Sequence, residues 1–140
     1  MQLITNQFVR VAPDCKATAA VVPVPKGGKD TVPVIQHRLL TTEPYSFTLE
    51  DLIYETHVRR LGLAAAEAKA RKKEIWRELF AKSHACMRAS ALPKQYGWGV
   101  HYDDRGRLAL VPVESAEYRR FAAGEVEGVE VTQAMRTRRG

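Results

Sequence analysis

Apolar and small positions alternate with a period of two through YGWGVHYDDRGRLALVPV, residues 96–113, and the pattern breaks at Asp104-Arg105-Gly106. Successive side chains of a strand point to opposite faces, so this pattern predicts a β-hairpin closed by a three-residue loop. Gly106 suits the left-handed residue that ends such a loop, and that choice sets the register. Tyr102 then faces Leu108, His101 faces Ala109, Val100 faces Leu110 and Gly99 faces Val111. One face carries Trp98, Val100, Tyr102, Leu108, Leu110 and Pro112 and is the core side. The other carries Gly97, Gly99, His101 and Asp103 beside Arg107, Ala109, Val111 and Val113. Strand glycines often mark a place where something approaches the backbone closely. The functional expectation is an open strip leading to His101, with Asp103 raising the His101 pKa. The competing expectation is that a helix or the N-terminal strands cover this face, because Val111 and Val113 also need cover.

Helical spacing takes over elsewhere. Thr48 and Asp51 have the spacing of a capping box, Phe47 and Leu52 that of a hydrophobic staple, and Gly62 is a natural stop. Leu49, Leu52, Ile53 and Leu61 supply an apolar face, so a helix is predicted over 48–61. A second is predicted over 64–82, where Ala68, Ile75, Trp76, Leu79 and Phe80 form a stripe that places Trp76 in the core. Lys69, Lys73 and Arg77 occupy another face, read as solvated. Ser115 and Gly124 bracket a short helix over 115–123, and Glu127–Val131 is read as a last strand before a basic tail over 132–140. Residues 1–45 are expected to be rich in strand and loop. A short strand is predicted at Phe8–Val11. Ala17–Val24 and Val32–Leu40 are read as a second hairpin or an ordered loop around the turn Pro25-Lys26-Gly27-Gly28-Lys29-Asp30, with Pro23, Pro25 and Pro33 favouring edge or irregular structure. The link 83–95 is read as irregular. Together these elements predict a single α+β domain, a mainly antiparallel sheet with helices packed on one face.

No apolar run approaches the ~20 residues needed to span a bilayer. MQLITNQFVRVAPD lacks both a basic start and a continuous apolar stretch, so no signal peptide is expected. Cys15 and Cys86 lie far apart and form no CxxC, which suits free thiols and a cytoplasmic setting. The net charge is +6, carried unevenly: seven Lys/Arg oppose six Asp/Glu over residues 1–62, and fifteen oppose ten over 63–140.

Candidate chemistry centres on Arg88, Ser90, Lys94, Tyr96, Gly97, Gly99 and His101. Guanidinium, ammonium and hydroxyl donors beside a glycine strip suit a small anion such as a carboxylate or phosphate ester. The leading expectation is a binding or interaction module for such a ligand or for a protein partner. One alternative is a small enzyme using Cys86 with His101. Another is a weak nucleic-acid binder through the basic C-terminal half, disfavoured because acids interleave with the bases there and no aromatic-studded basic motif appears. His84-x-Cys86 matches no zinc spacing, so neither a metal nor a cofactor is expected. Paired carboxylates, a Ser-His-Asp set and a dinucleotide loop are all missing from the pattern.

VAPDCKATAAVVP, EPYSFTLEDLIYET, the run from Cys86 through YGWGVHYDDRGRLALV, then ESAEY and AMRTRR, resemble a small bacterial family classed only as a domain of unknown function. The resemblance covers nearly the whole chain. Where that family has Lys-Arg-Tyr before the hairpin, this chain has Lys94-Gln95-Tyr96 and lacks the second cation. The resemblance implies no particular activity, cofactor or catalytic residue. The hairpin is also similar to those of other small bacterial α+β domains.

Overall fold

The computed structural model describes residues 2–138. Its centre is a four-stranded sheet built from β1 (Gln7–Arg10), β2 (Trp98–Tyr102), β3 (Leu108–Pro112) and β4 (Glu130–Gln133), in the order β3-β2-β1-β4. β2 pairs antiparallel with β3 and with β1, whereas β4 runs parallel to β1. The hairpin has the predicted register, with Tyr102 opposite Leu108 and Gly99 opposite Val111. Gly106, at φ 78°, closes the loop through its amide, which donates to the Asp103 carbonyl at 3.1 Å. The last strand begins three residues later than the sequence pattern suggests.

Alternation divides two cores between the faces of the sheet. Val9, Val100, Tyr102 and Leu108 point to one face, where they meet Ile35, Leu39 and Leu40 of α1 (Val32–Thr42), Leu49 and Leu52 of α2 (Leu49–Leu61), and Leu92 of α5 (Ala91–Gln95). Phe8 and Val111 point to the other face, where Tyr118 and Phe121 of α6 (Ala116–Ala122) cover them. Helices therefore cover the larger core on one face, and one short helix closes the second face.

α2 starts as its sequence dictates. The Thr48 side chain accepts from the Asp51 amide, the Asp51 carboxylate accepts from the Thr48 amide, and Gly62 ends the helix at φ 69°. Ser115 caps α6 in the same way, accepting from the Tyr118 amide at 3.0 Å.

Three expectations are corrected. Residues 32–40 are helical, not extended, as part of α1. Pro33 sits in the first turn, where its missing N–H costs nothing, and Val34, Ile35, Leu39 and Leu40 bury one helical face. Burial overrides the β-branched bias of the segment. The helix expected over 64–82 is two, α3 (Ala65–Ala70) and α4 (Lys72–Phe80), broken at Arg71 with φ −102° and ψ 11°. These two helices do not cover the sheet: Ala68 and Ile75 pack with Tyr54 and Val58 of α2 in a separate cluster. The link 83–95, read as irregular, contains a 3₁₀ turn at Met87–Ala89 and then α5.

Residues 17–24 form neither strand nor helix. They cross the base of the hairpin, where the Val21 amide donates to the Tyr96 carbonyl and the Trp98 indole donates to the Val21 carbonyl. PKGGKD is a tight turn: Lys26 and Lys29 exchange backbone hydrogen bonds while Gly27 and Gly28 take φ of 58° and 76°.

Candidate functional site

The parallel pairing of β1 with β4 sends both strands out of the sheet in the same direction. The segments that follow them therefore stay neighbours. The Ala134 amide donates to the Arg10 carbonyl, and the Ala12 amide donates to the Pro93 carbonyl at the C-terminal part of α5. Asp14 fixes residues 137 and 138: its carboxylate accepts from the amides of Thr137 at 2.9 Å and Arg138 at 3.0 Å. A cleft of about 490 Å³ results, lined by Asp14, Lys16, Lys94, Gln95 and the segment 136–138.

The electrostatics of this cleft are one-sided. Lys16, Lys94, Arg136 and Arg138 face a single carboxylate, which is already occupied by backbone amides. Among the described residues, none of these four cations forms an ion pair within 4.0 Å. The Arg138 amide, backed by the Thr137 amide and the charge of Arg136, holds the Asp14 carboxyl below its ordinary range. Asp14 thus stays ionised and keeps the tail in place. Arg88 supports the same segment further back, its Nε donating to the Gln133 carbonyl at 2.7 Å and its own carbonyl accepting from the Met135 amide.

The seven residues expected to bind a ligand divide among several environments. Only Lys94 lines the cleft. Arg88 holds β4, and Ser90 caps α5 while donating to Gln36 Oε1 at 3.0 Å. Tyr96 packs against the larger core. The glycine strip is sealed, which corrects the expectation of an open face. Residues 17–20 lie over Gly97, where a Cβ would sit 3.1 Å from the Ala17 Cβ. Gly99 lies beneath Phe8 and Tyr118. The glycines do mark a close approach, but the approaching group is the protein's own side chain.

His101 is also engaged from within. Its ring packs on Phe121 at a tilt of 37° with centroids 4.5 Å apart, and Nδ1 lies 2.8 Å from the Tyr45 hydroxyl. Burial lowers its pKa and outweighs the opposing charges of Asp103 and Glu117, which reverses the expected direction. Asp103 is occupied elsewhere, accepting from the amides of Arg105 and Arg107 within its own loop. Cys86 packs with the core on the Tyr102 side, whereas His101 packs on the α6 side, so the sheet separates that pair. His84 is anchored to the end of α4, its Nε2 2.7 Å from the Leu79 carbonyl. Among the described residues, no three His, Cys, Asp or Glu side chains gather in a way that would hold a metal ion, and no helix is long and apolar enough to cross a membrane.

Asp14, Lys16, Arg136 and Arg138 were not in the expected set. The basic tail was visible in the sequence, but its docking on Asp14 spans 123 residues and has no local signal. No curated protein and no solved structure matches the chain. A family model does, described as a family of unknown function (DUF6157), over residues 2–140, and the chain belongs to that family.

Proposed function

We propose that this protein is a binding module for a small anion, a phosphate ester or carboxylate, held between Lys94 and the docked tail. The observation that carries this reading is the set of four cations, without ion pairs among the described residues, around one satisfied carboxylate. Like charges gathered in a concave site repel one another, and an anion entering it relieves that repulsion while accepting charge-assisted hydrogen bonds. The α5 segment and the Asp14 anchor fix the backbone that carries these cations, so binding has mainly their side chains left to order. The glycine face and His101 take no part. Two free thiols, Cys15 and Cys86, suit a reducing, cytoplasmic setting. A protein partner is a second reading, favoured by the extended run in which Val21, Val22 and Val24 are each half or more exposed.

A thermal-shift series with inorganic phosphate, phosphate monoesters and dicarboxylates tests the anion reading. A ligand at a hundred times its Kd stabilises the folded state by about 2.7 kcal/mol. A rise in Tm with at least one of these anions is expected, and Lys94→Glu or Arg136→Glu should abolish it. A flat response to every anion, or a shift that survives both substitutions, overturns the reading.

A further inference from the structure

A second concentration of positive charge lies away from the tail cleft, and it is continuous. It begins in a broad hollow of about 750 Å³ bordered by Lys26 and Lys29 of the glycine turn, Arg38 of α1, and Arg59 and Arg60 at the end of α2. Arg59 also borders the next hollow, of about 440 Å³, together with Lys69 and Lys72. Lys72 in turn borders a third, of about 410 Å³, which is walled by Lys73, Trp76 and Arg77. Shared residues join the three into one band. Among the described residues, two carboxylates line it: Asp30, bound to Arg38 at 2.8 Å, and Glu55. The sequence alone disperses these cations between both halves of the chain; the fold collects them.

The band ends on an aromatic surface. Trp76 is half-buried, not enclosed, and its exposed part forms the floor of the third hollow. Tyr54 and Phe80 brace the indole from within, with ring centroids at 5.3 and 4.7 Å, and Lys72 Nζ lies 5.9 Å from its centroid. Lys73 and Arg77 complete a cationic rim around a fixed indole. A flat π-surface at the end of a basic track matches the requirements of a single-stranded nucleic acid. Its phosphates need a line of cations and its unpaired bases need a stacking partner. An anionic membrane would use the cations too, but an indole packed against Tyr54 and Phe80 has little freedom to insert between headgroups, whereas a base can come to it.

We propose that this band binds single-stranded nucleic acid, with phosphates along Arg59, Arg60, Lys69 and Lys72 and one base stacked on Trp76. This ligand and surface are distinct from the small-anion cleft.

The test uses fluorescence anisotropy of the full chain with a labelled oligothymidylate of about fifteen nucleotides. Binding is expected to weaken as salt rises, with log K falling by about 0.7 per phosphate contacted for each decade of salt. Arg59→Glu with Lys72→Glu should weaken binding by about tenfold or more, and Lys94→Glu should leave it unchanged. In a Trp98→Phe background, the oligonucleotide should quench Trp76 fluorescence, and polyphosphate, which has no bases, should not. Trp76→Ala should weaken binding by roughly fivefold or more. Trp76→Phe, which keeps an aromatic face, controls for loss of folding and should retain most of the affinity. Four results would each overturn the proposal: no binding at about 50 mM salt, quenching by polyphosphate equal to that by DNA, loss of binding through Lys94→Glu alone, or binding to phosphatidylserine vesicles without binding to the oligonucleotide.

Discussion

Gly99 shows how much one hydrogen atom in place of a methyl group can decide. A Cβ there would lie 2.6 Å from Phe8 Cζ and 2.8 Å from Tyr118 Cε2. Phe8 is fully buried and stacked on Phe121 with centroids 4.7 Å apart, so it has little room to yield. Replacing glycine by alanine stiffens the unfolded chain, a gain of about 0.4–1 kcal/mol. Overpacking costs about 1–3 kcal/mol, so the clash should win. Gly99→Ala is therefore expected to lower the urea midpoint; a midpoint at or above that of the parent would show that α6 does not cover this strand. His101 and His37 act through charge instead. Burial lowers the pKa of both below the ordinary 6.5, so the unfolded chain binds protons that the folded chain refuses. Stability is then fully present above the unfolded value and declines as pH falls from there toward the folded values. Urea denaturation between about pH 5 and 8 should show stability rising with pH and levelling above 6.5, and His37→Gln with His101→Gln should flatten that rise. An unchanged slope in the double variant would contradict the assignment. The sequence showed that glycine marks a close approach and that His101 has an acidic neighbour. It could not show that Phe8 and Tyr118 do the approaching, or that burial outweighs Asp103.

Elements were legible where their signals are local. The capping box at Thr48 and Asp51, the left-handed stop at Gly62, the cap at Ser115 and the loop at Gly106 each depend on residues within a few positions of one another. Thr48→Ala should cost about 1 kcal/mol, read as a lower denaturation midpoint with an unchanged m value. Asp51→Ala should cost a similar amount, and the double variant less than the sum, because both side chains serve one cap. Strict additivity would mean that the two bonds act independently. α1 is hidden in the sequence because Val32, Val34 and Ile35 favour extended structure locally, and only packing of Ile35, Leu39 and Leu40 on the sheet selects the helix. The break at Arg71 has neither Gly nor Pro to announce it. What separates α3 from α4 is not explained by the local sequence.

At the scale of the molecule, the topology does what no segment could announce. A parallel β1–β4 pair brings residues 14–16 beside residues 136–138, and α5 supplies Lys94 to the same corner. The expected anion chemistry keeps one of its seven residues and gains a setting built from both ends of the chain. Basic residues that seemed diluted by neighbouring acids along the sequence separate into two surfaces, a compact cleft and a long band. The most direct measurement is an NMR titration of the ¹⁵N-labelled full chain with inorganic phosphate. Saturable shifts should concentrate at the amides of Lys16, Lys94, Gln95, Arg136, Thr137 and Arg138 and vanish in Lys94→Glu, with Gly99 and His101 unmoved. Shifts spread evenly over all basic surfaces, or centred on the glycine face of the hairpin, would contradict the cleft as the binding site.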